Sequence, residues 1–411
     1  MVYCGRRVPR PWGTALIRAT LICALAFWAV VVGLAAPVLC FAEEAALPEK
    51  ATRELPPALL ALQRQKNMPK HSPVILRVFK EEGELEAWKQ DATGHFQLLK
   101  TYPICRWSGD LGPKIHEGDR QTPEGFYNIT PALMNPNSNY YLAINTGFPN
   151  AFDKANGHDG TFLMIHGDCS SSGCFAMTDE QIAEIYGLAR DALLGGRPSF
   201  QVQAYPFHMT PANLARHRTS PHMPFWKMLK VGNDHFEATH LQPKVDVCGR
   251  RYVFDAQAPP HATVAPVFDP NAQCPAYVVN PKIAQAALAK QRADDLEYMQ
   301  LVKDDVPVAP IYSGLDGGMN GVFHARYPWK IVPLAIVLQP GSGIELPDLP
   351  PVPWADKDGS LANKIFGALP KAKAASQAHV ASTDAGSRKG GAEPATTEST
   401  LPPAIKHWFP N

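Results

Sequence analysis

The chain carries almost no net charge, and outside its first residues it has no block of like charge. Its 39 basic and 38 acidic residues leave a formal charge of +1 over 411 residues. A protein that binds nucleic acid needs clustered lysine and arginine side chains to neutralise phosphates. The composition therefore indicates a partner other than nucleic acid.

Two further patterns are missing. The sequence has no internal repeat, and it has no Cys-x-x-Cys pair, which disfavours an exported thiol-disulfide oxidoreductase. His166, Cys169 and Cys174 could contribute zinc ligands, but no second Cys or His pair at finger-like spacing completes a site. We therefore expect neither a metal ion nor an organic cofactor.

Proline is abundant instead. The 40 prolines are many for a compact helical enzyme and are typical of a loop-rich β protein with linkers. A chain of 411 residues exceeds the usual single domain, so it should form two globular units or one unit with appendages.

Residues 1–42 have the pattern of an export signal. Four arginines precede an uncharged apolar run over residues 20–42: Arg6, Arg7, Arg10 and Arg18. A basic flank stays inside while the following segment enters the membrane. A cleavage site after Ala42 would make the segment a signal peptide, whereas its length also suits a lasting N-terminal anchor. Either way we expect the rest of the chain outside the cytoplasm, periplasmic or anchored in the inner membrane facing the periplasm, with no other membrane contact.

Residues 43–70 are polar and predict a linker. From Val74 the pattern becomes that of antiparallel strands, with apolar runs at 74–79, 85–88 and 96–102 separated by turn residues. A long loop rich in glycine and proline follows at 112–125, and such loops on β scaffolds often carry function. These patterns predict a mainly β domain over residues 71–254.

The chemistry is concentrated in one short stretch. A strand-like run, 161–165, leads to His166, and Ser172-Gly173-Cys174 follows in a loop of small residues. A thiol at its usual pKa is only a few per cent ionised at neutral pH, so a neighbouring imidazole that takes its proton makes it a nucleophile. Gly173 permits a tight turn, and its amide and that of Cys174 could face a developing oxyanion. This combination predicts acyl transfer.

Cysteine counting supports that role. Five cysteines follow the leader: Cys105, Cys169, Cys174, Cys248 and Cys274. In an oxidising compartment five thiols cannot all pair within one chain, and we expect Cys174 to be the unpaired one. Cys248 with Cys274 is the most natural bridge by spacing. A local Cys169–Cys174 disulfide is the competing arrangement, and it would leave a non-catalytic wall-binding module.

The remaining chain is organised more simply. Residues 178–194 predict a helix, with a Thr178–Gln181 capping box and a stop at Gly195. Residues 255–350 form a C-terminal extension with an amphipathic helix over 283–303. Residues 351–411 are rich in proline, alanine and small polar residues, and they predict a disordered tail.

Several motifs together resemble the L,D-transpeptidase catalytic domain family (YkuD type), and especially its YafK-like murein branch. They are Leu163-Met164-Ile165-His166-Gly167, Ser172-Gly173-Cys174-Phe175-Ala176-Met177, the segment 117–127, and Phe225-Trp226 through Val247-Cys248. The resemblance covers about residues 74–254. It implies a β-sandwich or barrel with a helix after the catalytic loop, Cys174 as nucleophile and His166 as proton donor and acceptor.

By the same resemblance the substrate is a peptidoglycan stem peptide, and five residues become candidates for contacting it: Gly167, Ser172, Arg120, Thr122 and Tyr127. Commoner family members carry a histidine where this chain has Ser172 and an arginine where it has Ala176. These departures favour the YafK-like branch over a standard cross-linking enzyme. The expected activity is transpeptidation through a Cys174 thioester, with hydrolysis that releases a wall-attached lipoprotein or residue as the alternative.

Overall fold

The computed structural model describes residues 47–311 and 316–324. The predicted leader and tail both lie outside the described residues. Within these ranges, no helix combines the length and the apolar character needed to cross a bilayer.

A five-stranded sheet lies at the centre of the described chain. Its strands are β1 (Val74–Phe79), β2 (Glu84–Gln90), β3 (Phe96–Pro103), β4 (Gly125–Ile129) and β9 (Phe200–Tyr205), in the order β3-β2-β1-β9-β4. Strands β1, β2 and β3 pair antiparallel, as the apolar runs predict, and β1 pairs parallel with β9. Every residue of β1 and β9 is buried, so both faces of this sheet are covered.

A smaller sheet carries the catalytic stretch. It contains β5 (Met134–Asn135), β6 (Ala143–Asn145), β7 (Met164–His166) and β8 (Phe175–Ala176) in sequential order. Strands β7 and β8 are parallel, with Ile165 opposite Phe175 and His166 opposite Ala176. The strand expected at 161–165 is therefore shorter than predicted and includes the histidine.

Helices make up more of the chain than the expected mainly β fold implies. The α-helices are α1 (Glu49–Thr52), α2 (Pro57–Gln65), α3 (Ala151–Ala155), α4 (Asp179–Leu194), α5 (Pro211–Arg216), α6 (Met223–Thr239) and α7 (Pro281–Lys303). Two separate strand pairs follow α6, namely β10 (Val245–Cys248) with β11 (Arg251–Phe254) and β12 (Ala256–Gln257) with β13 (Val278–Val279). The described chain is thus a β-rich domain with helices on its flanks.

The main hydrophobic core lies between the two sheets and α4. It unites Leu76 of β1, Ile165 of β7 and Leu188 of α4 with their neighbours. An aromatic cluster on the other face of the larger sheet contains Trp226 of α6, whose indole Nε1 donates to Glu124 at 2.8 Å. Trp226 is therefore a core residue.

Helix α4 begins and ends as predicted. The Thr178 side chain accepts from the Gln181 amide while the Gln181 side chain accepts from the Thr178 amide, and Gly195 is the C-cap. This capping box fixes the chain just after β8, so the catalytic loop is held between a strand and a helix start.

The described part of the expected 43–70 linker is not a free tether. Leu55 and Leu59 are buried in the main core, and the Arg190 guanidinium donates to the carbonyl oxygens of Ala51 and Arg53 at 3.0 and 2.8 Å. The stretch is polar on average, but its few apolar side chains pack in the main core and hold the segment on the domain.

The C-terminal extension also packs on the domain. Helix α7 covers α6, where the Lys230 ammonium lies 2.6 Å from the Asp294 carboxylate. Residues 316–324 then contact the chain after β3, and Trp107 and Gly318 form an antiparallel bridge. The helical prediction for residues 283–303 is confirmed. The described part of the extension packs against the preceding domain through these contacts.

Candidate active site

His166 and Cys174 lie at two paired strands of the smaller sheet, since His166 ends β7 and Cys174 immediately precedes β8. Ile165 and Phe175, which are paired across β7 and β8, are fully buried in that core. Because side chains alternate along a strand, His166 and Ala176 project to the opposite face. Cys174 lies in the bend just before β8, and its Sγ approaches the Phe162 carbonyl oxygen, which precedes β7. The parallel pairing of β7 and β8 therefore brings the two segments that carry the predicted pair side by side.

The His166 ring is fixed by its own loop. Its Nδ1 lies 2.6 Å from the Gly167 carbonyl oxygen, and a carbonyl can only accept, so Nδ1 carries the proton and Nε2 is the basic nitrogen. The Tyr140 ring covers the imidazole at a centroid distance of 4.7 Å. Burial lowers the pKa of His166, and the Gly167 hydrogen bond and the nearby Asp168 only partly oppose this.

The Cys174 thiol is half-buried beside the strand that carries His166. Its Sγ lies 3.5 Å from the Phe162 carbonyl oxygen, which accepts the thiol proton. Burial raises the pKa of Cys174, while the Met164 amide and the Lys114 ammonium act in the opposite direction by favouring the thiolate. With one pKa raised and the other lowered, the resting pair is a neutral thiol and a neutral imidazole.

The two amides predicted to face an oxyanion are occupied by serine hydroxyls. The Gly173 amide donates to the buried Ser108 Oγ, and the Cys174 amide donates to Ser171 Oγ at 3.1 Å. The two hydroxyls are 3.0 Å apart. At φ +117° Gly173 has the left-handed backbone that its identity allows. Gly173 adjoins Cys174, and its amide binds the Ser108 hydroxyl, so this amide is not open to a ligand in this structure.

The disulfides resolve the competing cysteine arrangements. Cys248 pairs with Cys274, as predicted, and Cys105 pairs with Cys169. Cys174 is the free cysteine among the described residues. The Cys169–Cys174 disulfide is therefore wrong, and the wall-binding module that depended on it loses its basis. A zinc site that includes Cys169 falls for the same reason, and no three His, Cys, Asp or Glu side chains within the described ranges are grouped to hold a metal.

Two of the predicted substrate contacts are structural. Thr122 is fully buried, and its hydroxyl donates to the Ser108 carbonyl oxygen at 2.9 Å. Tyr127 is 1% exposed, and its hydroxyl donates to the Glu124 carbonyl oxygen at 3.1 Å. Both assignments as substrate contacts are corrected, because neither side chain has surface to offer.

The other three predicted contacts lie around the loop. Gly167 is buried, and its carbonyl oxygen orients His166. Ser172 is exposed next to the nucleophile. The exposed Arg120 guanidinium binds the Asp316 carboxylate, so it is already engaged by an anion.

Sequence reasoning missed several residues at this site. Ser108 and Lys114 come from the long loop after β3, and Phe162 lies 73% exposed with φ +55°, just before β7. The only signal for the first two was the length of their loop. The exposed ring of Phe162 had no signal, because an aromatic residue before a strand ordinarily predicts core.

Comparison with known proteins places this geometry in a family. The profile of the L,D-transpeptidase catalytic domain, YkuD, matches residues 75–199. The proteins named "Putative L,D-transpeptidase YafK" of Escherichia coli K12 and of O157:H7 are each 50% identical to this chain over 182 residues, which cover 44% of the chain and 74% of the relative. The chain belongs to the L,D-transpeptidase catalytic domain family, as the motifs indicated.

Solved structures with a weaker likeness include two proteins. One is the helical cell shape determining protein Pgp2 of Campylobacter jejuni, with 22% identity, a TM-score of 0.27, and coverage of 36% of this chain and 56% of that one. The other is Bd1075 of Bdellovibrio bacteriovorus, with 16% identity, a TM-score of 0.25, and coverage of 43% and 76%. The chain spans little more than half of the length of Pgp2.

Proposed function

We propose that the protein is an exported cysteine acyltransferase that acts on peptidoglycan stem peptides through a thioester on Cys174. The observation that carries the proposal is the single unpaired thiol among the described cysteines, at the start of a strand that pairs with the strand of an imidazole whose Nε2 is the basic nitrogen. The family membership supports the substrate class.

The chemistry follows from the neutral pair. As Sγ attacks the carbonyl carbon at the L-centre of the stem diamino acid, His166 Nε2 takes the thiol proton. The C–N bond then breaks, and His166 returns the proton to the leaving amine. The thioester is resolved by an acceptor amine, which gives transpeptidation, or by water, which gives hydrolysis and could release a wall-attached lipoprotein.

Export is part of the proposal. Two disulfides lie within the described residues, and such bonds persist in oxidising compartments. The basic and apolar leader of residues 1–42 supplies a route across the membrane. We propose a periplasmic location, either soluble or anchored by that leader.

Replacing Cys174 by alanine should abolish the reaction, because the described residues hold no other free thiol. His166→Gln should reduce kcat by at least about 100-fold, since it removes the proton carrier. The measurement is mass spectrometry of purified wall fragments incubated with each protein, with and without an added amine such as glycine.

Ser170→Ala is the matched control, because Ser170 is exposed on the same loop and should leave activity unchanged. Fragments processed equally by wild type and Cys174→Ala would rule out the thioester. Products that incorporate the added amine identify a transferase, and products that incorporate only water identify a hydrolase.

A further inference from the structure

Residues 316–324, termed the strap here, extend the sheet that carries the nucleophile. Arg106 forms an antiparallel bridge with Ala176 of β8, and Trp107 forms the next bridge with Gly318 of the strap. The amide of Trp107 donates to the Gly318 carbonyl oxygen at 3.0 Å, and the reverse bond measures 3.1 Å. The strap is therefore one ladder step away from β8.

The sequence of the strap suits this close approach. A Cβ atom at Gly317 would overlap the Trp107 carbonyl oxygen, and one at Gly318 would lie 2.8 Å from the Trp107 indole nitrogen. Only glycine lets the backbone lie this close. Asn320 adds a hydrogen bond from its amide to the Ile104 carbonyl oxygen at 3.0 Å. The strap therefore packs at a defined position against residues 104–108.

The strap places Asp316 beside two arginines, Arg106 and Arg120. The Arg120 guanidinium binds the Asp316 carboxylate, and the Gly109 amide donates to the same carboxylate at 3.2 Å. Arg106 donates from Nη2 to the Asp316 main-chain carbonyl oxygen. Asp316 therefore offers its carboxylate to Arg120 and the Gly109 amide, and its main-chain carbonyl oxygen to Arg106.

Electrostatics favours an anion in this position. Partial burial lowers the pKa of Arg106, and the like charge of Arg120 lowers it further, whereas Asp316 raises it. Two neighbouring cations repel each other, and the Asp316 carboxylate offsets that repulsion while accepting the charge-assisted hydrogen bond of Arg120.

The pocket adjoins the catalytic loop. Arg106 lies opposite Ala176, so its side chain starts from the sheet face that carries His166. The Arg120 carbonyl oxygen accepts from Ser108 Oγ at 2.8 Å, and that same hydroxyl oxygen accepts the Gly173 amide proton. A peptide whose carbonyl reached Cys174 could therefore place a carboxylate near the two arginines.

We propose that Arg106, Arg120 and the Gly109 amide form a subsite for a carboxylate of the substrate peptide, and that Asp316 occupies it as an internal competitor. The inference rests on the proposed function for the identity of the peptide. The shared chemistry is a peptide carboxylate, which could be the free C-terminus of the stem or the second carboxylate of its diamino acid.

An internal competitor raises the apparent dissociation constant of the ligand. The side chains of Arg120 and Asp316 are 52% and 45% exposed, so their ion pair is weak and can exchange. Because both groups belong to one chain, the carboxylate still acts at a high effective concentration. Removing its charge should tighten binding of a free carboxylate by about three- to tenfold.

The test uses full-length Cys174→Ala protein, which binds without turnover, and isothermal titration with a synthetic stem tetrapeptide. Asp316→Asn should bind the free-acid peptide about three- to tenfold more tightly, and Arg120→Met should bind it more weakly. Two further peptides, one with an amide in place of the C-terminal carboxylate and one with an amide in place of the second carboxylate of the diamino acid, show which group binds. The peptide that lacks the binding carboxylate should have the same affinity for the Asp316→Asn and Arg120→Met proteins as for their parent.

Asp305→Asn is the matched control. Asp305 also pairs with an arginine of the domain, Arg218, at 3.0 Å, which is not one of the two arginines of the subsite, so its removal should leave affinity unchanged. Equal affinities of Asp316→Asn and Asp305→Asn for all peptides would overturn the subsite.

Acetate separates this inference from the proposed function. Acetate should bind Asp316→Asn at millimolar concentration and shift the Arg120 side-chain NMR signals, and the double variant with Arg120→Met should not respond. Absence of that shift overturns the subsite whatever the peptide does. Wall-fragment processing that survives Cys174→Ala overturns the proposed function and leaves the acetate result standing.

Discussion

At the scale of single residues, burial favours the neutral forms of His166 and Cys174, the proposed catalytic pair. Burial pushes the pKa of His166 below its ordinary 6.5 and that of Cys174 above its ordinary 9.0. The active form, with neutral imidazole and neutral thiol, therefore exists between those two values. Activity should depend on general-base catalysis at the moment of attack and not on a preformed thiolate.

The first residue-scale prediction is a broad pH plateau. As pH falls below 6.5, His166 gains a proton and loses its base function, so kcat/KM should decline only in that acidic range. The rate of iodoacetamide alkylation, which needs the thiolate, should rise only at alkaline pH. Rapid alkylation of wild type at about pH 5, absent from Cys174→Ala, would show an ion pair instead.

The second concerns Phe162, which combines an exposed ring with a left-handed backbone beside the nucleophile. A bulky residue at φ +55° is strained, and such strain concentrates at functional sites. Phe162→Gly should be more stable than Phe162→Ala by about 1 kcal/mol, because glycine adopts this φ freely. Thermal unfolding of the two variants measures the difference.

If the Phe162 ring contacts substrate, both variants should raise KM by a similar factor and leave kcat nearly unchanged. The two substitutions are controls for each other, since they share the loss of the ring and differ in strain. An unchanged KM in both would show that the strain serves only to orient the Phe162 carbonyl oxygen towards Sγ.

At the scale of elements, a disulfide joins the chain after β3 to the loop that carries the nucleophile. Cys105 pairs with Cys169, and Asp168 and Cys169 have φ values of +68° and +49°. Residues other than glycine resist this conformation, so the bond and the flanking strands must hold it. The disulfide therefore contributes to the shape of the loop as well as to stability.

Removing this disulfide should damage catalysis more than its effect on stability implies. The double variant Cys105→Ser with Cys169→Ser should lose at least about tenfold in kcat well below its melting temperature, because a small displacement of a nucleophile is costly. Its matched control is Cys248→Ser with Cys274→Ser, which removes a bond of β10. That control should lose about 2–4 kcal/mol of stability and keep its kcat, and equal kcat in the two double variants would contradict the prediction.

The elements that sequence could predict are those with local signals. Helix α4 has its apolar period and its capping residues within one stretch, and β1 has a continuous apolar run. Counting predicted that one of the five cysteines stays unpaired, and the free Cys174 confirms the residue expected. By contrast, the Cys105–Cys169 bond, the Ser108 contact with Gly173 and the seat of Asp316 join distant parts of the chain, and no local periodicity encodes such pairs.

At the scale of the whole molecule, the segment before the first strand is part of the core. Leu55 packs directly on α4 at Gly187, where a Cβ atom would lie 2.7 Å from the leucine Cδ2. Glycine inside a helix ordinarily costs about 1 kcal/mol relative to alanine. Glycine at position 187 therefore lowers the helix propensity of α4 but leaves room for the Leu55 side chain to pack against it.

This exchange predicts a change of sign in a double-mutant cycle. Gly187→Ala should destabilise the intact protein, because its Cβ overlaps Leu55. The Leu55→Ala substitution alone should lower the free energy of unfolding by about 2–5 kcal/mol. In that background Gly187→Ala should raise the free energy of unfolding by about 1 kcal/mol, because alanine has the higher helix propensity. Urea unfolding of the four proteins gives the coupling energy, and simple additivity would show that Leu55 does not restrict position 187.

The Cys105–Cys169 bond also bears on when the proposed enzyme could first act. A newly made chain passes through a reducing cytoplasm, where these two thiols stay apart and the loop around Cys174 lacks its cross-link. The loop would reach its working shape only after the thiols are oxidised beyond the membrane. A wall-modifying activity would then be silent during synthesis and transit, and oxidation would set the moment at which it begins.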